Sequence, residues 1–333
     1  MSYTTNNGII SGGSRRTLSM MALQYNSPTN LFNVYTPGSG VQSGGRASNP
    51  GIRSALRRRA QLNRGTMEKP HTGRCIGFCN NNDSSKLTII LYLDGTKKQV
   101  LLSKNVDTNN KIFHNAKKIK FGNGTETIFS SYNINNNQLP NLFNLIEVII
   151  PNSVKEIGKT AFYYTPLLTS IIIPNSVTTI GKHAFALSSL NSVNLPLVTT
   201  IGHGAFAGSP LNSINLPSVT SIGSNAFYEC TSLNSINLPL VKSIGCNAFL
   251  CCSALVTIDL PLVTSIGSYA FYKCTSLNLI KLTKDLSLDI GTEAFYEIRS
   301  TATVYLTSTA KAHFGTTDYF QTVDGNLPNF NIS

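Results

Sequence analysis

From residue 142 onward, apolar and polar positions follow one frame that returns every 21 to 24 residues. Its fullest copy runs Leu233, Ile236, Leu238, Pro239, Val241, Ile244, Gly245, Ala248, Phe249 and Cys252. The glycine recurs as Gly158, Gly181, Gly202, Gly223, Gly245, Gly267 and Gly291. An Ala-Phe pair follows each one, ending in Phe162, Phe185, Phe206, Phe227, Phe249, Phe271 and Phe295. Proline returns at positions 151, 174, 196, 217, 239 and 261.

Each part of the frame has a structural meaning. Ile236-Asn237-Leu238 alternates apolar and polar residues, as a strand with one buried face does. The proline after it stops the strand, because it has no N–H to give to the next ladder position. Val241 and Ile244 bring the chain back inward. Gly245 suits either a positive φ or a close approach of two backbones. Ala248-Phe249 sets a small residue beside a large one that fills the coil. One such unit leaves both of its ends open and buries too little to stand alone, so copies must stack and the array must be capped. The expected fold is a mainly β repeat solenoid of 21–24-residue coils with short parallel strands.

The flanks differ from the repeats. Leu87–Leu93 and Gln99–Leu102 flank Asp94-Gly95, a hairpin signal, and are expected to cap the first coil. A degraded copy is visible at Ile119-Lys120-Phe121 and Ile128, before an Asn-rich insertion at Asn133–Asn137. Thr303–Leu306 is expected to be the last strand. The implied division is an arm at 1–80, a hairpin cap at 81–115, the solenoid at 116–297 and a C-terminal cap at 298–333.

The stretch Val219-Thr-Ser-Ile-Gly223-Ser-Asn-Ala-Phe227-Tyr-Glu-Cys230-Thr-Ser-Leu233 resembles the BspA-type leucine-rich repeat. The resemblance spans about 142–297 in seven copies. It implies a right-handed solenoid with a parallel sheet on one side, serving surface attachment and protein–protein contact without catalysis. This chain departs from the pattern in its early copies, where Thr165, Ser188 and Ser209 stand in the cysteine column. Attachment proteins of this type also carry export signals, and none is recognisable here. Ser2–Ile10 is polar, and the apolar run Met20–Leu23 is too short for a signal core.

Charge sets the arm apart. The chain carries a net +12. Residues 1–80 hold nine Arg and Lys69 against Glu68, a net +9. Glycine and proline interrupt this stretch throughout. One short helix is expected between Asn49-Pro50 and Gly65, carrying Arg53, Arg57, Arg58, Arg59 and Arg64. Ser43–Ala60, with Arg46, resembles basic N-terminal segments in proteins of large DNA viruses, where BspA-type repeats and Asn-rich composition also occur. No run of about 18 apolar residues marks a membrane span. Seven cysteines without framework spacing suit reduced thiols, so the expected location is intracellular or within a virion. The sequons at Asn82, Asn123 and Asn331 then carry no weight.

Ser192, Asn194, Ser213, Asn215, Ser235, Asn237, Thr257 and Asp259 occupy the outward positions of successive strands, continued by Lys281. They form either a recognition face, since repeat proteins bind on the surface their strands present, or a solvated face with amide ladders between coils. Cys230, Cys252 and Cys274 lie in the core column, and buried thiols fit them better than zinc, which favours paired close spacing. Cys246 and Cys251 lie off that column. His71, Cys75 and Cys79 lack a fourth ligand nearby. Gly40–Ala47 misses the Lys and hydroxyl of a phosphate loop. Asp285, Asp289 and Glu293 form an acidic run in which Asp285 and Asp289 alternate with Leu286 and Leu288 as on the wet face of a strand, and His183 and His203 sit in turns without a recurring acid or nucleophile.

No catalytic residue, metal or cofactor is therefore expected. The primary expectation is a structural repeat protein whose arm (Arg46, Arg53, Arg57, Arg58, Arg59, Arg64) anchors it to a larger assembly such as a virion, with capsid or assembly proteins as partners. The alternatives are a free module that captures a host or cellular protein on the strand face, and a nucleic-acid-associated protein. Nine net charges also suit phosphate backbones or acidic surfaces, although Tyr25, Phe32 and Tyr35 are not interleaved with the arginines as a base-stacking platform would require.

Overall fold

The computed structural model describes residues 84–135, 138–282, 288–306 and 318–332. The whole arm, including its six anchoring arginines, the helix expected after Asn49, and the His71, Cys75 and Cys79 group, lies outside the described residues. So does Asp285.

The described chain winds as a β-solenoid of about ten coils with almost no helix. Along one side, parallel strands at Ser192–Asn194, Ser213–Asn215 and Ser235–Asn237 pair in strict register. Thr257–Asp259, Leu279–Lys281, Thr303–Leu306 and Asn329–Ile332 continue in the same sense. In Ser192–Asn194, Ser213–Asn215 and Thr257–Asp259 the central residue is buried and both neighbours stand in solvent. Thr303–Leu306 is thus not the last strand. The segment after it returns to add Asn329–Ile332, and Phe320–Thr322 pairs with Phe295–Ile298 on another side.

A second sheet corrects the expectation of strands on one side alone. Nine parallel strands run from Asn105–Asp107 to Asp289–Ile290, most only two residues long. Seven of them are the x-I step before a conserved glycine: Thr200-Ile201 pairs with Ser221-Ile222, then Ser243-Ile244, then Ser265-Ile266. Each isoleucine is buried.

The hairpin forms with strands Leu87–Tyr92 and Lys97–Leu101. Its first strand also pairs outside the hairpin: Leu87–Tyr92 runs antiparallel to Ala116–Lys120, which pairs parallel with Glu147–Ile149 in a four-stranded sheet. The bridge between Ile149 and Ile172 carries this sheet toward the strand face of the later coils.

The conserved glycine is required for close approach, not for a positive φ. A Cβ built on Gly223 would stand 2.7 Å from the Gly202 carbonyl carbon of the coil before. Left-handed backbone occurs two and six residues later, mostly at non-glycine residues: His183 and Leu187, Asn225 and Glu229, Asn247 and Cys251. Such conformations cost energy for L-residues. They persist because they let successive N–H groups point at the next coil: His183 N–H donates to the His203 carbonyl and Leu187 N–H to that of Ala207, both at 2.8 Å.

Between these turns lies the core. Phe162 through Phe295 stack ring on ring with centroids 4.9–5.5 Å apart and planes within 10°. That spacing is set by the coil repeat, close to the ordinary distance between paired strands. Phe320, which no repeat supplies, continues the stack at 4.8 Å.

Candidate functional site

All eight polar residues expected to face outward do so. Ser192, Ser213 and Ser235 are in register on one row, and Asn194, Asn215 and Asn237 on the next. Thr257 and Asp259 follow, and all eight are exposed. The apolar residue between each pair holds the strand to the core, so the pleat fixes which side chains reach solvent. Part of the ladder reading also holds. Asn237 Nδ2 donates to Asn215 Oδ1 at 3.1 Å, and Lys281 lies 3.8 Å from Asp259. Amide pairing across coils therefore coexists with exposure.

The same face changes character toward the hairpin, which the outward column read from the sequence did not include. Ile149 is 49% exposed and Ile172 is 85% exposed, and the two bridge each other in parallel. The pairing register sets Lys120 beside Ile149 and Ile89 beside Lys120, so Ile89, Lys120, Ile149 and Ile172 form one row. Lys97, Leu91, Lys118 and Glu147 form the neighbouring row. Together these strands line a shallow depression of about 320 Å³. Lys118 pairs with Glu147. Among the described residues, no carboxylate lies within ion-pair distance of Lys97 or Lys120. The signal was in the sequence: Val148-Ile149-Ile150 and Ile171-Ile172-Ile173 break the alternation that Ser-Ile-Asn obeys elsewhere.

The cysteine column is interior, as expected. Cys230, Cys252 and Cys274 are fully buried free thiols. Each donates to the carbonyl of the phenylalanine one coil back: Cys230 to Phe206, Cys252 to Phe227 and Cys274 to Phe249, at 3.1–3.2 Å. Ser209 makes the same bond to Phe185 at 2.8 Å. The column therefore selects a small side chain with a hydrogen to give, which is why serine and cysteine exchange there. Burial pushes the Cys230 thiol up to about 12, and raises Cys252 and Cys274 as well. These groups stay protonated and unreactive. Cys246 is exposed and Cys251 half-buried.

His183 is buried in a corner turn, edge-on to His203 with centroids 5.0 Å apart. It packs against Gly204, whose φ of +60° and lack of a side chain leave room for the ring. Burial, then the nearby His203, Lys182 and Lys159, holds its pKa down at about 4. Asp289 is exposed on the second sheet, while Glu293 sits half-buried at a left-handed corner and not on a strand. Among the described residues, no three His, Cys, Asp or Glu side chains gather as metal ligands. No described helix is long and apolar enough to cross a membrane.

Comparison with curated proteins gives no match. Among solved structures, the chain is similar to a Treponema pallidum leucine-rich repeat protein, with 28% identity over 48% of this chain and 83% of that one and a TM-score of 0.39. It is similar to a leucine-rich cell surface protein of Faecalibacterium prausnitzii at 21% identity, over 64% of this chain and 59% of that one, TM-score 0.36. A Bacteroides ovatus leucine-rich repeat protein aligns at 19% identity over 73% and 90% of the respective chains, TM-score 0.32. The BspA type leucine rich repeat region matches in six copies over residues 107–220 and 199–319. These residues leave the arm out and lend nothing to its viral resemblance. They cover more than half of the sequence, and the chain belongs to the BspA-type leucine-rich repeat family.

Proposed function

We propose that this protein is a non-catalytic scaffold that binds another protein through the outward face of its first sheet. The observation that carries this reading is the register of that face. Consecutive strands present Ser192, Ser213 and Ser235 in one row and Asn194, Asn215 and Asn237 in the next, all exposed on a backbone locked by parallel pairing. A rigid surface loses little entropy on binding, and hydroxyls and amides can both donate and accept. Repeat proteins of this architecture leave such extended surfaces for recognition.

The experiment is partner capture by the full chain and by an Asn215→Arg/Asn237→Arg variant. The variant is expected to keep its circular dichroism spectrum and lose the partner. Normal capture by the variant would place binding elsewhere.

A second reading rests on charge alone. Residues 1–80 carry +9 of the net +12, and such a segment suits anchoring to a larger assembly, a virion included, or to nucleic acid. Deleting 1–80 separates the two. Capture kept without the arm favours the strand face, whereas loss of incorporation into particles or of nucleic-acid retention favours the arm.

A further inference from the structure

We infer that the hairpin end of the strand face, where Ile89, Leu91, Ile149 and Ile172 lie among Lys97 and Lys120, is a docking site for an apolar segment of a partner protein that carries acidic residues. The inference rests on reading the strand face as a binding surface, and it names where on that face the contact is made and with what chemistry.

Three observations support it. The first is exposure of bridged backbone positions. Ile172 stands 85% in solvent and Ile149 49%, at positions that carry exposed asparagine in the coils that follow. A single exposed apolar residue needs no explanation, but contiguous ones do. Here Ile149 and Ile172 are bridged neighbours, and Ile89 and Leu91 extend the apolar surface across the strand of Lys118 and Lys120. The second is shape. These strands surround a depression of about 320 Å³, lined by Ile89, Leu91 and Ile149, with lysines on its walls. The third is charge. Glu147 is matched by Lys118, while Lys97 and Lys120 have no carboxylate within ion-pair distance among the described residues. An apolar floor with unmatched cations on its rim complements apolar side chains flanked by carboxylates.

Protection of an exposed edge explains part of this arrangement, since lysines on a terminal strand discourage unwanted pairing. That accounts for Lys97 and Lys98 on the outermost strand of the hairpin. It does not account for Ile149 and Ile172, which lie further along the face. An anionic membrane would also accept lysines around apolar groups. The face argues for protein, because the apolar row gives way in the following coils to rows of exposed hydroxyls and amides, which suit a polypeptide and not a hydrocarbon layer.

The test uses the full chain and three synthetic peptides that carry a photo-crosslinker: one alternating leucine with aspartate, one leucine with lysine, and one serine with aspartate. Fluorescence anisotropy reads affinity, and mass spectrometry maps the crosslinks. The serine–aspartate peptide reports attraction to basic residues anywhere, the arm included. The leucine–aspartate peptide is expected to bind at least tenfold more tightly than either of the others and to crosslink to residues 87–101, 116–120 and 147–172. Ile149→Asn/Ile172→Asn, which installs the residue found in later coils, is expected to remove that advantage. Lys97→Gln/Lys120→Gln should weaken binding and flatten its salt dependence. Equal binding of the three peptides, crosslinks confined to residues 1–80, or binding to phosphatidylglycerol vesicles in place of the peptide would overturn the inference. If the natural partner is lost in Asn215→Arg/Asn237→Arg and kept in Ile149→Asn/Ile172→Asn, this inference fails while the scaffold reading stands. If both variants keep the partner, the scaffold reading fails with it.

Discussion

The inner and outer positions of the same strands obey different rules. Inside, every coil repeats the last: phenylalanine on phenylalanine, isoleucine on isoleucine, a small donor on a small donor. Outside, the face drifts from lysine and isoleucine at the hairpin, through serine and asparagine, to Asp259 and Lys281. The inner positions must match because each contacts its equivalents one coil away, so a change in one disturbs two interfaces. The outer positions have solvent on one side and can vary with little cost to the fold. Repetition therefore marks packing, and departure from repetition marks the places where this protein can differ in what it binds.

The contrast can be broken from either side. Phe227→Ala removes one ring from the middle of the stack and is expected to cost about 3–5 kcal/mol. Chemical denaturation checks it, and a loss below about 1 kcal/mol would mean that the stack is not the core. The next effect depends on pH. The folded-state pKa of His183 is held down at about 4 against an ordinary value near 6.5. The folded protein therefore keeps this ring neutral where the unfolded chain would protonate it. Its contribution is fully present above pH 6.5 and is lost as pH falls toward 4, by up to roughly 3 kcal/mol. His183→Asn, which installs the residue found at the equivalent Asn225 and Asn247, should remove that part of the pH dependence when melting is compared between pH 7 and 4.5.

Smaller changes sharpen the contrast. Cys252→Ala deletes the donor to the Phe227 carbonyl and is expected to cost about 1–2 kcal/mol. Cys252→Ser keeps the bond that Ser209 makes in its own coil and should cost less than about 1 kcal/mol, read from the same denaturation curves. Ile172→Asn, on the outside, should shift stability by no more than about 0.5 kcal/mol. A large loss there would make Ile172 part of the core despite its exposure.

Much of this was legible in the sequence, because the inner contacts are made by recurring large side chains. The phenylalanine and cysteine columns, the hairpin at Asp94-Gly95 and the outward Ser–Asn rows follow from counting the frame. The second sheet did not follow, since two-residue strands such as Thr200-Ile201 are too short to show an alternation. Nor did the left-handed corners. Asn225 and Asn247 suit them, but Glu229 and Lys273 do not advertise a positive φ, and the neighbouring coil imposes it. Phe320 completes the stack from outside the frame, so no period could place it. The apolar end of the strand face shows in the sequence only as a broken alternation at Ile149 and Ile172, a departure that the repeat frame does not itself generate.

The corner turns also give the array a direction in time. On the second sheet each coil donates backward, as Gly202 N–H does to Ile180. At the corners each coil donates forward, His183 to His203 and Asn225 to Cys246. A ribosome delivers coils from the N-terminus, so every new coil finds acceptors waiting on its sheet side while its own corners still lack theirs. Each coil is finished only by its successor. The last corners, at Glu293 and Phe295, are completed by the carbonyls of Asp318 and Tyr319. The Asp318-Tyr319 segment thus serves the Glu293 corner as a successor coil would, in a structure built one turn behind its own synthesis.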